Sequence, residues 1–174
     1  MILPFSAKIN GKPSYFPEKI LMGLLVKKLT PEPDFNSICP RGVIIPKGDI
    51  MYNIHFDHTI NHKPKYHTIR EDKNDRWKVG TKIDFFINVR QKNMYRFAPV
   101  LPVVGVQEVF MTYAFNDVIE ISVDEKYITD VVGFAKNDGF DKWEDFFNFF
   151  YPKIMENPEQ FYKAKIIHWT DFKY

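Results

Sequence analysis

Apolar and polar residues alternate most clearly in the middle of the chain. Ile83, Phe85, Ile87 and Val89 fall on one side and Asp84, Asn88 and Arg90 on the other, the period-two signature of a strand with one buried face. Ile119, Ile121 and Val123 alternate with Glu120, Ser122 and Asp124 in the same way. Val103 to Met111 reads as a buried strand or a bulged pair, so the centre of the chain is expected to be antiparallel sheet. Leu3 to Ile9 predicts a short first strand, with Phe5 and Ala7 set against Ser6 and Lys8 before the turn Asn10-Gly11-Lys12. Ile50 to Phe56 and about Lys163 to Trp169 predict two more strands, the last closing the sheet.

Elsewhere the period lengthens to that of a helix. From about Pro17 to Leu29, Ile20, Leu21, Leu24 and Leu25 recur at helical spacing, leaving Glu18, Lys19, Lys27 and Lys28 for water. Tyr127 to Lys136 is a second helical stretch, closed by a turn or C-cap at Asn137-Asp138-Gly139. Asp141 and Glu144 have the spacing of a capping box, opening a helix whose Trp143, Phe146, Phe147 and Phe150 form one apolar stripe and which ends near Pro152. Between Thr30 and Asp49, four prolines and two glycines predict a long loop. Because Ile38, Val43, Ile44 and Ile45 give that loop something to bury, it is expected to be ordered.

Composition narrows the class. The 174 residues suit one domain spanning 1–174, with an extended helix and Pro-rich loop at about 10–60, and 45% hydrophobic residues fill a single core. Aromatics at 17% suit a small barrel, whose interior a few large rings can fill. No apolar run reaches the roughly 20 residues of a membrane span, and no signal peptide is recognisable, so no membrane partner is expected. Cys39 is the only cysteine, which excludes an internal disulfide and a cysteine-based zinc site and points to a reducing cytoplasm. His55, Asp57, His58 and His62 suggest metal ligation. Thr59, Asn61 and Pro64 argue against the helix that would align them, so a solvated loop is expected there and no metal or other cofactor.

The formal net charge is only +2, but it is unevenly spread. Residues 61–82 carry seven Lys or Arg against three Asp or Glu, whereas residues 124–159 carry four against nine. The basic segment contains Lys63-Pro-Lys-Tyr-His-Thr-Ile-Arg70, which offers amines, an imidazole, a hydroxyl and a guanidinium within a few residues.

The pattern Lys65-x-x-Thr68-Ile69-Arg70, followed by an acidic turn and Arg76-Trp77-Lys78-Val79-Gly80, resembles the signature segment of the ASCH family, small domains with a PUA-like β-barrel. The likeness runs from about Pro64 to Trp169 and takes in Ala135-Lys136-Asn137-Asp138-Gly139-Phe140 and Ile166-Ile167-His168-Trp169. It implies an α+β fold, a mainly antiparallel barrel with flanking helices. It also implies a basic cleft that recognises a nucleobase, a nucleoside or RNA, with a modified base among the candidates.

One branch of the family hydrolyses the acetyl group from acetylcytidine. The resemblance then places Lys65 as proton acceptor, Thr68 as nucleophile and Asp138 as acid, with Arg70, Lys63, His67 and Trp77 as ligand-binding residues. The chain departs from that branch at Asp138, where the branch has Glu, and at Lys63, where it has Gly. A second reading is a non-catalytic reader of RNA or a modified base, stacking the base on aromatic rings. A third is a structural domain in which Arg70 and Asp138 form an ion pair and His67 is a packing neighbour. Chemistry by the triad requires the chain to turn between Lys65 and Thr68, since positions 65 and 68 of a continuous strand face opposite ways.

Overall fold

The computed structural model describes residues 1–29, 44–47, 50–53, 63–115 and 118–174. His55, Asp57, His58 and His62 lie outside the described residues, as does most of the expected loop between Thr30 and Asp49. The described chain gathers into two compact units, Met1–Lys65 with Lys82–Pro102, and Tyr66–Thr81 with Val103–Tyr174.

In the first unit, strand β1 (Ile2–Phe5) leads into a small hairpin of β2 (Lys8–Ile9) and β3 (Lys12–Pro13), and then into helix α1 (Phe16–Val26). The expected single strand Leu3 to Ile9 is thus two pieces. Gly11, at a φ of +78°, supplies the left-handed backbone of the hairpin turn. A second hairpin pairs β4 (Ile44–Lys47) with β5 (Ile50–Asn53). Strand β7 (Lys82–Ile87) pairs with β1, with β8 (Tyr95–Arg96) and with β9 (Leu101–Pro102). It stops short of Val89 because Asn88 and Arg90 take positive φ and turn the chain.

The pairing of β1 with β7 is parallel, a departure from the all-antiparallel expectation. Parallel neighbours need a long crossover connection, and the stretch containing α1 supplies it. Leu3, Phe5, Ile20, Leu21, Leu24, Ile83, Phe85, Ile87 and Phe97 fill this unit's core, with Phe5 stacked on Phe85 at 6.0 Å. Glu18 and Lys19 do not face water as expected: both are buried, at 3% and 2% exposure. Burial raises the Glu18 carboxyl, with its own backbone N–H and Lys19 pulling the other way.

The second unit is built on a five-stranded antiparallel sheet. In spatial order it runs β12 (Lys126–Tyr127), β11 (Ile119–Val123), β10 (Gly105–Tyr113), β13 (Phe161–His168) and β6 (His67–Arg70). Val109, Met111, Ile119, Ile121, Val123, Ala164 and Ile166 form its buried face, as the alternation requires.

Two helices accompany this sheet, α2 (Val131–Asn137) and α3 (Trp143–Met155). Helix α2 starts later than expected because Tyr127 belongs to the β11–β12 hairpin. Its N-cap is Asp130, whose side chain accepts the Gly133 N–H at 2.8 Å. The expected capping box of α3 does not form: the N-cap is Lys142, without a side-chain hydrogen bond, and Glu144 and Asp145 occupy the first turn instead. Phe146, Phe150 and Ile154 are its buried face, and the helix runs through Pro152 to Met155. Among the described residues the sheets are open, with no closed barrel, and no helix is long and apolar enough to cross a membrane.

Candidate ligand site on the motif strand

The basic motif becomes strand β6, which among the described residues is an edge strand paired with β13 alone. His67 lies opposite His168, Thr68 opposite Ile167, Ile69 opposite Ile166 and Arg70 opposite Lys165. Side chains alternate across the sheet, so His67 and Ile69 share the core face while Thr68 and Arg70 share the other. Residues 63–66 carry no regular structure and the strand starts at His67, so strand alternation does not reach back to Lys65.

Asp138 is brought to this strand by the end of α2. The Gly139 N–H donates to the Lys136 carbonyl at 2.9 Å and the Phe140 N–H to the Ala135 carbonyl at 3.0 Å, the paired bonds of a Schellman cap. Gly139 sits at a φ of +92°, the left-handed conformation that this cap demands. The chain is thereby reversed just after Asp138, whose carboxylate accepts the Ile69 N–H at 3.2 Å. A main-chain donor of the edge strand is thus taken by a side chain rather than by another strand. The same Oδ1 lies 3.6 Å from His67 Nδ1, and Asp138 is only 4% exposed.

The network continues on the other side of the imidazole. His67 Nε2 lies 2.8 Å from the Tyr174 hydroxyl, which also accepts from Asn137 Nδ2 at 3.2 Å. The Asn137 carbonyl accepts the Tyr66 N–H at 3.3 Å. Gln107 on β10 holds the backbone of Tyr174 at both ends: its Oε1 accepts the Tyr174 N–H at 3.0 Å and its Nε2 donates to the Tyr174 carbonyl at 3.2 Å. Gln107 Nε2 also donates to Asp124 at 2.9 Å. Phe134, Phe172, Tyr174 and His168 surround His67 with ring centres 5.3 to 6.1 Å away.

Burial sets the electrostatics here. It draws the Arg70 guanidinium below its usual range, while the charge of Asp138 and then Tyr162 hold it up. Burial pushes the Tyr162 phenol up to about 12, with Glu71 adding to it and Arg70 opposing. It also raises Tyr174, against the hydrogen bond from Asn137. His168 is pulled down to about 3, first by burial and then by His67 and Lys173, with Asp124 and the Phe172 backbone opposing. Neither of its ring nitrogens makes a well-formed hydrogen bond among the described residues.

Among the sequence-predicted site residues, Thr68, Arg70, His67, Asp138 and Trp77 fall in the second unit, and Lys63 and Lys65 in the first. Lys65 is fully buried, with Nζ 4.6 Å from the centre of the Phe16 ring, an amine against an aromatic face. Its N–H donates to the Lys19 carbonyl at 2.9 Å. Lys63 is exposed. Trp77 is buried, and its N–H, with that of Arg76, closes the turn on the Asp72 carboxylate at 2.9 and 3.0 Å.

Sequence reasoning missed Tyr174, Gln107 and His168 as parts of this cluster. Gln107 carried a signal, being polar on the face of β10 that otherwise holds Val109 and Met111. Tyr174 carried none. Among the described residues no cluster of three His, Cys, Asp or Glu is arranged to hold a metal ion.

Fold and site together define an α+β protein of mainly antiparallel sheets, in which buried His67 of the edge strand stands between Asp138 and a half-buried Tyr174. Compared with known proteins, this chain matches no family model, no curated protein and no solved structure.

Proposed function

We propose that this chain is an ASCH-type, PUA-like domain whose motif strand His67–Arg70 recognises a nucleobase or nucleoside. The observation that carries the proposal is the buried Asp138 carboxylate, fixed along β6 by the Ile69 N–H and standing beside His67. Placing a carboxylate, an imidazole and a guanidinium in low dielectric costs several kcal/mol in desolvation, and such clusters concentrate at sites that bind or react. A hydrogen-bonding edge of this kind suits a heterocycle with donors and acceptors on its rim.

Recognition fits better than hydrolysis. In the hydrolytic scheme Thr68 attacks while Asp138 delivers a proton to the leaving amine, so both must face one ligand. Thr68, the nucleophile of that scheme, points to the face of β6 opposite His67.

A free nucleoside also fits better than an RNA strand. The cations downstream of the motif are already engaged: Lys73 with Glu71, Arg76 with Asp72, Lys78 with Asp75, and Lys165 with both Asp72 and Asp75. An RNA backbone would need those charges uncommitted.

The test is calorimetric titration of purified protein with cytidine and with acetylcytidine, alongside chromatographic assay for released cytidine. The expected result is saturable binding of at least one nucleoside, weakened about tenfold or more by Arg70→Ala, the scale of one lost charge-assisted hydrogen bond. Turnover abolished by both Lys65→Ala and Thr68→Ala would instead establish the hydrolase. Absence of binding to any nucleoside at millimolar concentration would leave the cluster a structural network and overturn the proposal.

A further inference from the structure

The five-stranded sheet has a second face, opposite the one that carries Val109, Met111 and Ile121. Helix α3 packs on the Met111 side, where Phe150 meets Tyr162 at 5.8 Å and Tyr151 meets Tyr113 at 5.1 Å. On the other face the register sets Lys163, Phe110, Ser122 and Tyr127 side by side across β13, β10, β11 and β12, with Phe161, Thr112 and Glu120 as the next row. Phe110 is 41% exposed and Tyr127 60%, and Phe110 stacks on Phe161 at 5.2 Å. Aromatic rings grouped on an open sheet face mark a surface on which something docks.

Beside Phe110 this face dips into a cleft of about 590 Å³, lined also by Glu108, Ser122, Asp124, Glu125 and Lys163. Its charges are three carboxylates against one amine, and that amine is already held by Glu108 at 3.0 Å. The Asp124 carboxylate is fixed by the Glu108 N–H and by Gln107 Nε2, both at 2.9 Å. Glu125, and Glu120 in the next row, are exposed and make no ion pair among the described residues. Asp124 and Glu125 are the two central residues of the β11–β12 hairpin, at φ of +46° and +66°. Glycine would take the second of those places without strain, and Asp-Gly is a favoured pair in such a turn. Glutamate is the less stable choice there, and it sets a carboxylate on the rim of the cleft.

We propose that this face is a docking surface for a basic peptide, and that the cleft receives one of its arginine side chains, the guanidinium laid on the Phe110 ring and its N–H groups directed to Glu125. Glu120, a diagonal neighbour of Phe110 across the ladder at about 7–8 Å, takes a second basic residue. The occupant is cationic because carboxylates are in excess and two of them are uncommitted. It is a peptide rather than a small solute because the aromatic surface continues beyond the cleft, over Phe161 and Tyr127. Arginine suits the cleft better than lysine. Its guanidinium is flat, weakly hydrated and forked, so it can stack on a ring and reach a carboxylate in one pose, whereas an ammonium is a strongly hydrated point charge. The surface uses residues of β10 to β13 and none of the motif strand, so it stands or falls apart from the nucleoside reading.

The probe is a fluorophore-labelled, acetylated and amidated Gly-Arg-Gly-Arg-Gly peptide, followed by anisotropy, with counterparts carrying lysine or citrulline in place of arginine. Citrulline keeps the shape of arginine and loses its charge. Saturable binding of the arginine peptide is expected, weakened about two- to fivefold by Phe110→Ala and by Glu125→Gln, the scale of one exposed cation–π contact or ion pair. The lysine peptide should bind more weakly by a similar factor, and the citrulline peptide not at all. Glu125→Gly should raise the melting temperature while weakening the peptide as much as Glu125→Gln does, a split that a carboxylate with only a structural role would not give. Glu156→Gln, which removes an exposed acid at the end of α3, is the control for overall charge. If Phe110→Ala disturbs the sheet, Phe110→Leu decides, since it keeps an apolar side chain without the ring. A loss from Glu156→Gln as large as that from Glu125→Gln, or affinity unchanged by the substitutions at 110 and 125, overturns the proposal. So does a citrulline peptide that binds as tightly as the arginine one, free arginine amide that binds as tightly as the peptide, or no saturable binding at millimolar peptide.

Discussion

Asp138 concentrates the residue-scale physics of the site, since one carboxylate serves a strand edge, an imidazole and the field at Arg70. Asp138→Ala leaves the Ile69 N–H without its acceptor and removes the charge that holds up Arg70, so unfolding in denaturant should show a loss of about 1–3 kcal/mol. Asp138→Asn keeps an acceptor and should lose less. His168 yields a pH prediction whose sign follows from its direction of shift. Its folded value, about 3, lies below the ordinary imidazole value of 6.5, so the unfolded chain binds the extra proton between those limits. Its contribution to stability is therefore complete above about pH 6.5 and is lost as the pH falls toward 3. His168→Phe should flatten the dependence of the denaturation midpoint on pH across that window, and the His168 ring resonances should show no titration between pH 8 and about 4. These residues differ in how legible they were. Thr68, Arg70 and Asp138 stood out through a motif, whereas Tyr174 and Gln107 matter only because a bend after β13 returns the chain to β10, a pairing that no local pattern encodes.

At the scale of elements, what was legible followed periodicity and what was not followed capping and pairing. The alternation in β7 and β11 and the stripes of α1 and α3 placed those elements, because burial of one face is written into every second or every third to fourth residue. The boundaries moved where a single residue outweighed the pattern: positive φ at Asn88 ended β7, and the β11–β12 hairpin claimed Tyr127 from the helix. The Asp141–Glu144 spacing did not become a cap because the N-cap fell on Lys142, one residue later. Burial of Glu18 and Lys19 was invisible for a different reason. Helical period assigns a face to each residue, but not what tertiary packing lays over it. The cap of α2 also yields predictions. Gly139→Ala forces an L-residue into the left-handed region, so thermal or denaturant unfolding should show a loss of about 1–2 kcal/mol, and the Asp138 carboxylate should loosen from Ile69. At the other end of α2, Asp130→Ala removes the acceptor for the Gly133 N–H and should cost about 1 kcal/mol in the same measurement.

Over the whole molecule, charge distribution distinguishes the kinds of partner more sharply than net charge does. Lys and Arg are in excess over residues 61–82, but the three that follow the motif most closely, Lys73, Arg76 and Lys78, are each paired with a carboxylate. Lys165, on β13, reaches both Asp72 and Asp75 and is raised above its usual range first by its hydrogen bond to Asp75, despite the opposing cost of burial. Lys163, two residues earlier on the same strand, pairs with Glu108 at 3.0 Å. A polyanion bound here would displace carboxylates as well as counterions, and gain little from either. Affinity for a ligand falls with salt in proportion to the phosphates it neutralises, by about 0.9 in the logarithmic slope for each on duplex DNA and about 0.7 on single strands. A nucleoside held by the motif strand should therefore show an almost flat dependence between 50 and 300 mM salt, and a nucleoside monophosphate a slope of about one at most. A slope of about four or more for a single-stranded oligonucleotide, measured by fluorescence anisotropy, would mean that the paired lysines release their carboxylates to a nucleic-acid backbone. In that event the partner is a strand rather than a single base. Lys163→Ala and Lys165→Ala would each then lower the slope by about 0.7, whereas for a lone nucleoside neither substitution should change it.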